Sequence, residues 1–326
     1  MGVFRRAKRA TGGRYRIFVA ADIHGSDVCW RKFVNAGRFY GVDAVVLAGD
    51  LTGKALVPVV AQPDGRHRLR FMGRDEVLEG DQLDEAERLV RFNGFYPYRC
   101  DPEELATLRE DPDTVTAAFE KAMRSQLESW IAFAEERLAG TGIRAFVMAG
   151  NDDPDFVDDL LDAAPGLENQ DGRIIDVEGY QIIGQGWSNH TPWDTPREKP
   201  EEELSKDLRV LLDEVDDVRR VILNPHAPPH DTGLDLAPEL DDDLAMVTRS
   251  GQPNLVPVGS TGVREVIDEY QPLVSLSGHI HESKGVVHLG DTVCVNPGSE
   301  YNVGRLLGAL VELRGPEVGN VQLVTG

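Results

Sequence analysis

The stretch YRIFVAADIHG, residues 15–25, decides the reading of the fold. Its apolar, β-branched run Tyr15–Ala20 has the composition of a buried strand, and it stops abruptly at Asp22-Ile23-His24-Gly25. Residues Asp27 to Phe39 can form a helix, and Ala44–Leu47 is a second buried strand ending at Gly49-Asp50. Strand, helix and strand within about 35 residues is the βαβ pattern of a parallel sheet. Ligands bind in the loops at the carboxyl ends of such strands. Asp22, His24 and Asp50 therefore stand where a site is expected.

Further along, the same arrangement recurs. Arg144–Met148 leads into Gly150-Asn151-Asp152, Arg220–Asn224 into His226, and Leu273–Ser277 into Gly278-His279-Ile280-His281. Ile174–Val177 with Tyr180–Gly184 reads as a hairpin, and Val286–Leu289 and Thr292–Asn296 follow as strands. The expected organisation is one α/β domain over residues 15–326, with residues 51–142 as an insertion and 1–14 as a basic tail. In the insertion, Leu56–Val60 and His67–Met72 flank the turn Pro63-Asp64-Gly65 and predict a hairpin. Helices are predicted around Asp84–Phe92 and Asp113–Leu138. In the second, Val115, Phe119, Met123, Leu127, Trp130, Ile131 and Ala134 recur at helical spacing, as a packing face does. The insertion is expected to roof the cleft or to form an oligomer contact.

Composition narrows the classes. The chain has 326 residues, 41% of them hydrophobic and 28% charged, which is enough to bury a sizeable core. A formal charge of −22 repels nucleic-acid backbones and anionic membranes at long range. Three widely spaced cysteines, Cys29, Cys100 and Cys294, read as reduced thiols of a cytoplasmic protein. Residues Met1 to Arg14 lack an apolar core like that of a secretory signal, and no window offers the roughly 18 apolar residues of a membrane span. The acidic stretches Glu201–Glu203 and Asp241–Asp243 are expected to be solvated loop or helix-start residues.

Five loops after apolar runs thus carry Asp22 and His24, then Asp50, Asn151, His226, and finally His279 and His281. Carboxylate, imidazole and amide oxygen suit divalent manganese, iron, cobalt, nickel or zinc, with manganese the first choice in vitro. Seven candidate donors are too many for one ion and suit two that share a carboxylate. Two ions roughly 3.5–4 Å apart activate a bridging water, as hydroxide, for in-line attack at phosphorus.

These blocks, in this order, resemble the signature of the calcineurin-like metallophosphoesterase superfamily over roughly residues 15 to 300. The resemblance implies a two-sheet sandwich with helices on both outer faces. It implies that Asp22, His24, Asp50 and His281 hold one metal, and that Asp50 bridges to a second held by Asn151, His226 and His279. It also implies a phosphoester as substrate, with His226 helping to stabilise the developing charge.

One position departs from the family pattern. Many members have His after the Asn of the third block, and here the residue is Asp152. A carboxylate beside two dications is expected to stay ionised, to donate protons poorly and to oppose a dianionic monoester. A phosphodiester or activated ester is the expected substrate, with Asn151 and Asp152 facing it. The competing expectation is that Asp152 merely caps the next helix. His190 and His230 lie in loops that can border the cleft and contact substrate. His67 and His288 fall within predicted strands and read as structural or exposed. Lys54 and Arg197 can each meet a phosphate oxygen, though a surface position is the simpler expectation. Asn296-Pro297-Gly298-Ser299 reads as a turn that buttresses the site. The alternatives to a diesterase are a phosphomonoesterase or protein phosphatase, a non-catalytic metal-binding scaffold, and a nuclease, the last disfavoured by the net charge.

Overall fold

The computed structural model describes residues 13–241 and 243–326; residues 1–12 of the expected basic tail, and Asp242 of the second acidic stretch, lie outside the described residues. Arg14–Ala20 and Ala44–Ala48 are parallel neighbours in a six-stranded sheet. That sheet runs Glu317–Thr325, Leu307–Arg314, Arg14–Ala20, Ala44–Ala48, Arg144–Met148 and Glu168–Asn169. A second six-stranded sheet runs Gly285–Leu289, Thr292–Asn296, Val274–Leu276, Val221–Pro225, Tyr180–Gln185 and Ile174–Val177. Its four central strands are parallel, and its outer two return antiparallel: Ile174–Val177 on Tyr180–Gln185 as the expected hairpin, and Gly285–Leu289 on Thr292–Asn296 as a second one.

The central strands are almost uniformly buried and mostly apolar, as strands covered on both faces are. Ile17, Val46 and Phe146 of the first sheet share one cluster with Ile182, Val274 and Val295 of the second. Residues of opposite orientation, Phe18, Val45 and Leu47, pack instead on Trp30 and Phe33 of helix Asp27–Tyr40 and on Leu127 and Trp130 of helix Pro112–Leu138. On the second sheet, Ile183 and Leu223 pack on Leu208 of helix Glu201–Leu212 and on Val263 and Ile267 of helix Thr261–Tyr270. The result is a mixed α/β fold.

The stripe expected on the long helix packs as read, except at its start. Met123, Leu127, Trp130 and Ala134 are buried, while Val115 is 37% exposed. The Trp130 ring stacks on Trp30 with centroids 5.1 Å apart, and its indole N–H donates to the Asp27 carboxylate at 3.0 Å.

Residues 51–142 carry a four-stranded sheet of their own, ordered Arg74–Leu78, His67–Phe71, Leu56–Ala61 and Tyr96–Cys100. The expected hairpin pairs antiparallel. Helix Gly80–Phe92 then crosses over, burying Leu83 and Val90 on Val57, Val59 and Leu69, and Tyr96–Cys100 pairs parallel to Leu56–Ala61. Strands Arg74–Leu78 and Tyr96–Cys100 and helix Pro102–Glu110 add to the elements expected there. The first is an edge strand of charged, exposed residues, and the second contains Pro97, so neither shows strand periodicity. Among the described residues no helix is long and apolar enough to cross a membrane. All three cysteines are buried and unpaired.

Candidate metal centre

The parallel strands of both sheets end at one edge, and their loops meet there. Asp22, His24 and Asp50 are almost completely buried, as are Asn151 and His226, whereas His279 and His281 are half-buried. The Asp22–Gly25 loop is zipped onto the next one by four backbone hydrogen bonds: the amides of Asp22, Ile23, His24 and Gly25 donate to the carbonyls of Gly49, Asp50, Asp50 and Leu51. Four of the seven expected donors, Asp22, His24, Asp50 and His279, have left-handed backbone, with φ between 36° and 66°. Such a conformation is costly for a residue with a side chain and clusters at functional sites. Gly150 lets two of these loops approach: a Cβ there would lie 2.2 Å from Oδ1 of Asp50.

Two groups of donors result. Ligand atoms of Asp22, His24, Asp50 and His281 lie within 4.8 Å of one another, and so do those of Asp50, His226 and His279. Asp50 belongs to both. Its Oδ2 is 3.4 Å from Nε2 of His24, and its Oδ1 is 3.5 Å from Nε2 of His226. His226 is held by its other nitrogen: Nδ1 donates to the Ala48 carbonyl at 2.7 Å, which turns Nε2 into the site. Oδ1 of Asn151 accepts from His226 Nε2 and His279 Nδ1, each at 2.8 Å. Nε2 of His24 and Nε2 of His281 approach to 3.1 Å, and Nδ1 of His24 has no hydrogen-bond partner among the described residues.

Electrostatics suit a cation site. Burial opposes the Asp50 carboxylate, but the fields of His226 and His24 outweigh it and hold the carboxyl well below the usual range. Burial likewise opposes a charged His226, yet the carboxylates of Asp50 and Asp22 raise it to about 10. Burial keeps His24 well below the usual imidazole range, and burial with the neighbouring His226 takes His279 to about 3. The Asp22 carboxyl is raised by burial to about 6, against the lowering fields of His281 and His226. His24 and His279, held neutral, and Asp50, held ionised, are in the ligand forms that divalent ions require, while His226, held charged by Asp50 and Asp22, would give up its proton on binding one; these groups can hold metal ions.

Around them lie residues that ligand chemistry alone did not single out. Nδ2 of Asn151 donates to Oγ1 of Thr195 at 2.9 Å, and that hydroxyl donates to Glu198 at 2.7 Å. Asp153 accepts from the amides of Gly150, Leu51 and Thr52 and locks two of the loops together. The Tyr301 ring packs on His24, centroids 4.7 Å apart, and lines a cavity of about 320 Å³ beside His281. The expected buttress is present: Oγ of Ser299 donates to the Asp22 carbonyl at 2.6 Å, and Nδ2 of Asn296 to the Ile280 carbonyl at 3.0 Å.

Three expectations change. Asp152 does not cap the following helix, which begins at Phe156 with no side-chain cap. Instead, its amide donates to Oδ1 of Asp50 at 3.0 Å, and its carboxylate accepts from Nζ of Lys54 at 2.7 Å. Burial, and then the Asp50 charge, raises the Asp152 carboxyl, and Lys54 opposes them. Lys54 is therefore a residue of the site rim, not of the remote surface. Arg197, expected at the surface, is 1% exposed; it donates to the carbonyl of Asp153 and to Asp158 and Asp171. His190 faces Glu198 at 3.4 Å and His230 faces Asp235 at 3.7 Å, and neither joins the two donor groups. His67 and His288 lie in strands, half-buried and exposed respectively.

Fold and site together define a mixed α/β protein with a candidate metal centre at the carboxyl edge of two sheets. No family model matches the chain. The uncharacterized protein MJ1162 of Methanocaldococcus jannaschii is 33% identical over 131 residues, which is 40% of this chain and 53% of that protein. The chain thus spans about half the length of that relative. One solved structure superposes with a TM-score of 0.57 at 17% identity, covering 96% of this chain and 99% of its own. The protein TT1561 of Thermus thermophilus superposes with a TM-score of 0.50 at 15% identity, with the same coverage. At these identities both are likenesses of fold alone.

Proposed function

We propose that the chain is a two-metal phosphoesterase of the calcineurin-like type, folded as a four-layer sandwich and acting on a phosphodiester or activated phosphoester. The observation that carries this reading is Asp50, one buried carboxylate shared by two groups of nitrogen and oxygen donors. Asp22, His24, Asp50 and His281 would hold one ion, and Asp50, Asn151, His226 and His279 the other. Two ions so held supply Lewis acidity for a nucleophilic water and offset charge on the phosphoryl oxygens. The chain's own part is to orient: Ala48 fixes the His226 ring, and Thr195 fixes the Asn151 amide. At position 152 there is no imidazole to protonate a leaving oxygen, which favours esters whose leaving groups need little protonation. A phosphomonoesterase is the second reading, favoured by Lys54, whose charge offsets that of Asp152. The net charge of −22 disfavours a nuclease, and the unpaired thiols fit a cytoplasmic setting.

The test is metal analysis after manganese loading, with turnover of bis(p-nitrophenyl) phosphate compared with p-nitrophenyl phosphate. Both ions and faster diester turnover are expected. Monoester dominance would refute the diester preference, and a protein that holds no ion and hydrolyses neither ester would refute the phosphoesterase reading. Asp50→Ala should abolish activity and release both ions; retention of both would refute the bridging role.

A further inference from the structure

Lys54 stands four residues beyond Asp50, in the loop that leaves the second strand of the first sheet. Its backbone amide leans on the Gly94 carbonyl at 3.4 Å, while its side chain is 45% exposed and reaches back over the site. The ammonium contacts Oδ2 of Asp152 at 2.7 Å, and that same oxygen lies 3.6 Å from Nδ1 of His24. The Asp152 amide is tied to Asp50. The cation is thus held at the open rim, one residue away from the shared carboxylate, by a partner that is itself anchored to it.

We propose that Lys54 is the substrate-binding cation of this site: its ammonium leaves Asp152 to donate to a non-bridging phosphoryl oxygen of the ester. The inference rests on the phosphoesterase reading and adds a residue to it. Three observations carry it. The arm is long and half-exposed, so its amine can swing without disturbing packed structure. Its only ion-pair partner among the described residues is Asp152, which remains tied through its backbone when the amine departs. Apart from His226 and the ions the site would hold, Lys54 is the cation beside Asp22, Asp50 and Asp152, with no other Lys or Arg paired to them among the described residues. A cation at the rim favours a phosphoryl group over a neutral substrate, and a dianionic monoester or free phosphate gains more from it than a monoanionic diester does.

Isothermal titration of the manganese-loaded full chain with inorganic phosphate tests this. Lys54→Met should weaken phosphate binding by about tenfold or more, the worth of one charge-assisted hydrogen bond. Lys54→Arg should retain most of the affinity. Asp152→Asn, which frees the amine and removes a negative charge, should tighten it. In turnover, Lys54→Met should raise KM more for p-nitrophenyl phosphate than for bis(p-nitrophenyl) phosphate. If wild-type protein holds metal and hydrolyses esters while Lys54→Met binds phosphate unchanged, the assignment of Lys54 alone is overturned. If wild-type protein holds no metal and hydrolyses neither ester, the phosphoesterase reading falls, and this inference with it.

Discussion

Asn151 carries an oxygen and an amide nitrogen on the same carbon, and only the oxygen can serve a metal. Two imidazoles point at that oxygen, and Thr195 accepts from the amide nitrogen. The Thr195 hydroxyl can accept there because it donates its own proton to Glu198. Thr195→Val breaks this relay and leaves the amide free to turn. Affinity for the second ion should fall about 10–100-fold, as for other residues that orient ligands, and calorimetric titration with manganese reads it; an unchanged second step would mean that the loops alone orient the amide. Glu198 offers a second test. Burial favours its neutral form, but the hydroxyl and amide groups of Thr191 and Thr195 donate to it and bring its carboxyl from about 4.5 down to about 2. A lowered folded-state value means stability that is present near neutrality and is lost as pH falls through that window. The difference in Tm between wild type and Glu198→Gln should therefore shrink as pH is lowered from about 6 to about 3; a constant difference would show that the charge is not the stabilising feature.

Helix Gly80–Phe92 ends against the ligand-bearing loops, and Gly94 is where the two meet. Its φ of +80° is left-handed, and a Cβ there would lie 2.1 Å from the His24 carbonyl. Gly65 has a similar φ of +84° in the hairpin turn but nothing within 4 Å of its Cβ position. Gly65→Ala thus measures the backbone term alone, about 1 kcal/mol, and Gly94→Ala adds the collision. We expect Gly94→Ala to lower Tm clearly more than Gly65→Ala and to weaken metal binding, which Gly65→Ala should leave alone. Equal effects would show that residues 51–142 and the site are mechanically independent. None of this contact was legible in the sequence. The hairpin and the two longer helices of residues 51–142 showed through periodicity and turn residues, whereas the charged edge strand Arg74–Leu78 and the Pro-containing Tyr96–Cys100 lacked the pattern. What presses on His24 depends on a crossover, not on a motif.

Across the molecule, one rule made the donors legible: each follows an apolar run that becomes a parallel strand. The same rule points at the loops after Tyr180–Gln185 and Thr292–Asn296, which hold Thr195 and Tyr301. They escaped notice because threonine and tyrosine carry no metal-ligand signature, and their role appears only once the loops are brought together. Arg197 is misplaced at the surface by the sequence for a related reason, since a lone arginine reads so until Asp158 and Asp171 close around it. The division of donors between sheets has a further consequence. Asp22, His24, Asp50 and Asn151 follow strands of the first sheet, while His226, His279 and His281 follow strands of the second, and Asp22 meets the amide of His279 across 257 positions of sequence. During synthesis neither donor group can close until the ribosome has released the segment around His281. A nascent chain therefore exposes Asp22 and Asp50 long before the imidazoles that complete either donor group have emerged.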